Sequence, residues 1–160
     1  MGEAAMNFVW LFEGTKTDEL DLSIRLVKHF YPDATTYVIS TRRVNTIADQ
    51  LLQPLRKLGN KHADQLYKLR EALKALPEEF YVMNDDFFLT APMQDDGDIR
   101  GRLSNLYERR KVHDAYRVAI GNTIEMLDAL EFPLWNFELH KPLLVDKSEM
   151  EKAFALLIDS

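Results

Sequence analysis

Cysteine is absent from the 160-residue chain, which excludes disulfides and thiolate-held zinc. No apolar run approaches the roughly 18 residues that a membrane-spanning helix needs, and the first residues lack the basic and apolar regions of a signal peptide. Basic charge is in the minority: 20 Lys and Arg against 26 Asp and Glu leave a net charge of −6. Neither a nucleic acid nor an anionic membrane is implied as a partner. Internal repeats and low-complexity blocks are missing too. What remains is an ordinary globular composition, with 46% hydrophobic and 29% charged residues. Such a chain is expected to form a single domain over 1–160, in a reducing, cytoplasmic setting.

One stretch stands out, Tyr81-Val82-Met83-Asn84-Asp85-Asp86-Phe87-Phe88-Leu89. An apolar run meets two adjacent carboxylates and then resumes. It reads as a buried strand delivering acids at its C-terminal end, the edge where open α/β sheets bind ligands. An unpaired buried charge costs several kcal/mol, roughly, so stability alone gives no reason for acids there. A divalent cation such as Mg²⁺, which takes oxygen ligands, would offset the cost. If the strand continues through the acids, Asn84 and Asp86 share one face and Asp85 takes the other. The alternative is a turn, since Asn-Asp-Asp also suits the end of a strand. The apolar Phe87-Phe88-Leu89 argues against a plain surface turn.

The rest of the chain reads as an α/β domain with helices flanking a mixed sheet. Strands are expected at 8–12, 36–40 and 80–83, adjacent in one sheet because each is apolar on both faces. Asp18 opens a helix that runs to Phe30, with Leu20, Ile24 and Val27 on one face. Asn45 begins a helical stretch with Leu51, Leu52, Leu55 and Leu58, interrupted at Pro54. A helix at about 62–76 carries a stripe of Leu66, Leu69, Leu73 and Leu76. Residues 91–101, rich in Asp, Gly and Pro, read as a mobile, solvated loop that lacks EF-hand spacing. A long helical region follows, roughly 102–130, with the basic cluster Arg109-Arg110-Lys111. That cluster is either a solvated face or a phosphate contact. Leu143-Leu144-Val145 follows Pro142, and Ser148 with Glu151 forms a capping box for a last helix that packs Met150, Phe154 and Leu157 inward.

Trp135-Asn136-Phe137-Glu138-Leu139-His140 alternates as a strand does, which puts Asn136, Glu138 and His140 on one face. A single histidine is more often a structural hydrogen-bonder. Glu138 beside it raises the prospect of convergence with Asp86, because imidazole and carboxylates together hold a transition-type divalent ion. Glu138 would alternatively orient an acceptor hydroxyl or act as a general base. Its bland reading is a solvated or salt-bridged strand residue.

Val82-Met83-Asn84-Asp85-Asp86-Phe87-Phe88-Leu89 resembles the NDDFF segment of Stealth-type sugar-phosphate transferases. It is also similar to a group of short phage and prophage proteins described as glycosyltransferases. Those carry the same acidic strand, a basic helical stretch, and a Tyr-Glu-Leu-His-x-Pro motif. The last reads here Phe137-Glu138-Leu139-His140-Lys141-Pro142, followed by Leu144-Val145-Asp146-Lys147. Weaker likenesses lie at Ser23-Ile24-Arg25-Leu26 and Asn60-Lys61, and the similarity covers about 8–158, in order.

The resemblance implies a compact nucleotide-sugar-binding fold of the GT-A, Rossmann-like type, in a bacterial or phage-infected cytoplasm. It implies a Mn²⁺ or Mg²⁺ cofactor, a nucleotide-sugar donor, and a glycan or other hydroxyl acceptor. On this pattern Asn84 contacts the ribose, Asp86 binds the metal, Asp85 supports the chemistry and His140 completes the metal shell. Asn in place of the usual first Asp bears on metal ligation by residue 84, not on ribose contact. Arg25, Lys61, Arg109 and Arg110 are the candidate cations for the leaving diphosphate. The implied activity is metal-dependent glycosyl transfer. Alternatives are hexose-1-phosphate transfer, or a non-catalytic, phage-associated binding protein on the same scaffold.

Overall fold

The structure is a computed structural model that describes residues 6–54, 61–93, 102–112, 114–134 and 142–158, without the side chains of 61–63, 157 and 158. The chain divides into two compact units, Met1–Met93 with Lys141–Ser160, and Gln94–His140.

The first unit is built on a mixed five-stranded sheet. In chain order its elements are β1 (Asn7–Leu11), α1 (Asp18–Phe30), β2 (Thr35–Ile39), β3 (Gln50–Leu52), α2 (Lys61–Leu73), β4 (Glu79–Met83), β5 (Leu143–Asp146) and a C-terminal helix (Lys147–Ile158). The strand order is β3-β2-β1-β4-β5. β1 lies at the centre, parallel to β2 on one side and to β4 on the other, with Trp10 opposite both Val38 and Met83. The three apolar runs are therefore neighbours, as their two-sided hydrophobicity demands. β5 closes one edge antiparallel, with Val145 opposite Phe80.

Alternation along the central strands divides the core in two. Phe8, Trp10 and Phe12 point to one face, where Leu20, Ile24 and Val27 of α1 cover them. Val9 and Phe80 point to the other, under Leu69, Ala72, Leu73 and Leu76 of the α2 region and Phe154 of the C-terminal helix. Of the expected leucine stripe on α2, Leu66 stands half-exposed in solvent. Its place on the inner face is taken by Lys68 and Asp64, both buried.

Two local expectations give way to tertiary contacts. Residues 45–52 are not helical. The Asp49 carboxylate accepts from the N–H and hydroxyl of Thr36 (2.8 Å each), and Gln50–Leu52 pairs with β2 as an edge strand. The open edge of β2 outweighs a leucine pattern of helical period; residues 55–60, including Leu55 and Leu58, lie outside the described residues. At the C-terminal helix the cap is Asp146. Its Oδ1 accepts from the Glu149 N–H (2.9 Å) and from the Ser148 hydroxyl (2.7 Å), and these donors hold its carboxyl below the usual range. Ser148 supports this cap instead of pairing with Glu151.

Among the described residues, the second unit holds two helices, α3 (Leu103–Arg109) and α4 (Ala115–Ala129); the C-terminal helix is accordingly α5. The long helical region expected over roughly 102–130 consists of these two helices, because Asp114 starts a new one, its carboxylate accepting from Tyr116 N–H at 2.9 Å. Arginine–aromatic contacts tie the pair together. The Arg110 guanidinium lies 4.7 Å from the Tyr116 ring centroid, and that of Arg117 4.2 Å from Tyr107. Among the described residues, no helix is long and apolar enough to cross a membrane.

Candidate functional site

The order β3-β2-β1-β4 contains a reversal. The chain steps outward from β1 to β2 and β3, then returns to place β4 on the other side of β1. At such a switch point the connections leave the two strands in opposite directions, and a crevice opens at their carboxyl ends. The residues that follow β1 and β4 line this edge: Phe12-Glu13-Gly14 from one, Asn84-Asp85-Asp86 from the other.

β4 ends at Met83, and the acids do not continue the strand. Asn84 to Phe87 form a turn, closed by the Phe87 N–H donating to the Asn84 carbonyl at 3.2 Å. The strand-face relation expected of Asn84, Asp85 and Asp86 does not hold, because the turn redirects the backbone. Asn84 and Asp86 are exposed, and Asp85 is half-buried. The chain then runs back beside α1, and this explains the renewed apolar run. Phe87, Leu89 and Met93 pack onto the core on the α1 face, while Phe88 is exposed.

Two anchors hold the returning segment. The buried Ser23 hydroxyl of α1 donates to the Phe87 carbonyl at 2.6 Å and accepts from Trp10 Nε1 at 3.0 Å. The Met93 N–H donates to the Tyr31 hydroxyl at 2.6 Å.

The β1 side of the edge carries a second polar cluster that the sequence reading overlooked. Lys68 Nζ is fully buried, donating to Glu13 Oε1 at 2.9 Å and to the Phe12 carbonyl at 3.4 Å. The same Glu13 oxygen accepts from the Thr41 hydroxyl (2.9 Å) and N–H (3.3 Å). Burial pushes the Glu13 carboxyl up, but the Lys68 and Thr41 donors together outweigh it and hold the group below its usual value. The cluster fastens the ends of β1 and β2 to α2. Its signal was present in Asp64 and Lys68, two charges four residues apart on the apolar face of a helix.

The other sequence candidates are dispersed. Arg25 is exposed on α1, two residues from Ser23 and so about 200° around the helix from it. Arg109 and Arg110 belong to the second unit, where Arg110 is engaged by Tyr116 and lies 3.9 Å from Asp114. Lys61 is the first residue of α2, with its side chain outside the described set. Glu138 and His140 lie outside the described residues, as does the strand expected over 135–140.

The donor set at the turn suits a hard divalent cation. Asn84, Asp85 and Asp86 offer only oxygens as acceptors, within reach of solvent. No ion pair to Asp85 or Asp86 forms among the described residues. Among the described residues, no three or more His, Asp or Glu side chains converge. The turn itself carries two carboxylates, Asp85 and Asp86, and a hard divalent cation held by one or two carboxylates keeps positions for phosphate oxygens and water. Comparison with protein-family models and with curated proteins returns no match.

Proposed function

We propose that this chain is a metal-dependent glycosyltransferase of GT-A-like architecture that uses a nucleotide-sugar donor. The observation that carries the reading is the acidic turn: two carboxylates without ion-pair partners among the described residues, at the carboxyl end of a parallel strand beside the sheet's switch point. The NDDFF and Phe-Glu-Leu-His-Lys-Pro resemblances point the same way. A divalent cation, when bound, supplies Lewis-acid stabilisation of the leaving diphosphate.

In this reading Asp86 holds the cation and His140 completes its protein shell, with Asp85 in support. Asn84, with a neutral amide, hydrogen-bonds the ribose. Glu138 orients the acceptor hydroxyl and takes its proton as the glycosidic bond forms. Of the candidate cations for the diphosphate, Lys61 at the start of α2 is retained; Arg25 lies on the exposed side of α1, and Arg110 is engaged by Tyr116 and Asp114 beside Arg109 in the second unit. His140→Ala is expected to weaken Mn²⁺-dependent nucleotide binding while leaving the melting temperature without ligand nearly unchanged. An equal response in the variant and the parent protein, measured by thermal shift, removes His140 from the site.

The function is tested by incubating the protein with a panel of nucleotide sugars, Mn²⁺ and hydroxyl acceptors, and identifying the nucleotide released. Glycosyl transfer releases the nucleoside diphosphate. Release of the monophosphate contradicts it and indicates hexose-1-phosphate transfer. A tightly bound nucleotide without turnover indicates a binding protein.

A further inference from the structure

Ser23 is an unusual residue for its place. The buried positions of α1 are Leu20, Ser23, Ile24 and Val27, so one hydroxyl sits on an otherwise apolar helix face. It is fully buried, as is the Trp10 indole beside it. A hydroxyl there needs partners, because an unsatisfied buried polar group costs about 1–3 kcal/mol. Both of its partners are remote in sequence. Trp10 lies on the central strand, and the Phe87 carbonyl belongs to the residue that closes the acidic turn.

Phe87 is consequently held on both sides. Its N–H is bonded to Asn84 within the turn, and its carbonyl is bonded to Ser23 across to α1. Asp85 and Asp86 are carried between two fixed points, the buried Met83 at the end of β4 and the pinned Phe87. We propose that Ser23 is a positioning residue for the acidic turn: its hydroxyl sets the backbone path on which Asp85 and Asp86 are presented at the switch point. The inference rests on reading that turn as a cation site for its functional consequence, but not for the anchoring itself. Trp10 Nε1 donates to the Ser23 oxygen from the other side, a bond separate from the one Ser23 makes to Phe87. The indole is thus a support for Ser23 and makes no bond to the turn.

Two variants separate positioning from packing. Ser23→Ala removes the bond to Phe87, and with it the acceptor of the Trp10 indole, with little change in volume. Trp10→Phe leaves that bond in place but opens a cavity in the core, so it destabilises the fold more. Two measurements are made on each: amide hydrogen exchange, and binding of Mn²⁺ alone followed by loss of the free-ion EPR signal. Ser23→Ala is expected to speed exchange at the Phe87 amide about tenfold relative to the amides of β1, the equivalent of about one lost hydrogen bond. It is also expected to weaken Mn²⁺ binding by about the same factor. Trp10→Phe, the less stable protein, is expected to keep Mn²⁺ affinity within about threefold, because the Ser23 bond to the turn survives.

Unchanged exchange at Phe87 in Ser23→Ala overturns the anchoring. Loss of Mn²⁺ affinity in proportion to stability across both variants overturns positioning in favour of packing. Failure of the parent protein to take up Mn²⁺ overturns the cation reading instead, and the exchange of Phe87 then decides the anchor separately.

Discussion

Glu13 shows how a single residue at the carboxyl edge sets a condition on the whole fold. Its carboxyl sits below its ordinary value of 4.5, because the Lys68 and Thr41 donors outweigh the effect of burial. A carboxyl lowered on folding stabilises the native state fully above its unfolded value. That contribution disappears as pH falls through the folded value. Glu13→Gln is therefore expected to cost about 1.5–3 kcal/mol near neutrality, the range for a hydrogen bond to a charged group. The gap to the parent protein should narrow as pH falls from 6 toward 3 in urea melts. A constant gap across that range would show that the Lys68 contact does not depend on the carboxylate. Asp86 is the contrasting case. It is exposed and makes no ion pair among the described residues, so Asp86→Ala should leave the urea midpoint without ligand within about 0.5 kcal/mol of the parent. A large loss would mean that the acid serves the fold. What the sequence showed of these residues followed their environment. Asp85 and Asp86 were conspicuous because they interrupt an apolar run. Lys68 was hidden within a leucine pattern, and its burial depends on Glu13, more than fifty residues away and on another element.

At the scale of elements, legibility tracked how far each pattern was locally determined. The helix Asp18–Phe30 and the strands at 8–12, 36–40 and 80–83 were readable because periodicity and burial agree there. The stretch 45–52 was misread because its leucines fit helical spacing, whereas the free edge of β2 and the Asp49–Thr36 hydrogen bonds extend it as a strand. The acidic turn was misread as a strand because Phe87 and Leu89 are apolar for a different reason. They face the core on the α1 side after the chain has turned back. The last helix was foreseen and its cap was not, and this difference can be measured. Asp146→Ala is expected to lower the midpoint of thermal or urea unfolding, as the loss of an N-cap does. Glu151→Ala is expected to cost almost nothing. The reverse order would restore the Ser148 and Glu151 capping box.

Across the molecule, the strand order β3-β2-β1-β4-β5 turns a run of amino acids into a place. It sets the ends of two parallel strands side by side at the one edge where their connections diverge. Order and direction were only partly legible. Apolar runs identify central strands, but the antiparallel entry of β5 depends on a partner strand more than sixty residues earlier. The account's central claim is that the turn at this edge takes a divalent cation together with a nucleoside diphosphate. The most direct measurement is a thermal melt of the parent protein and Asp86→Ala, with a panel of nucleoside diphosphates, each with and without Mn²⁺. Ligand at about a hundred times its dissociation constant stabilises the native state by about 2.7 kcal/mol, or roughly 5–10 °C for a chain of this length. The account predicts such a rise for at least one diphosphate, only with Mn²⁺ and only in the parent protein. No rise with any diphosphate, or an equal rise in Asp86→Ala, would contradict it.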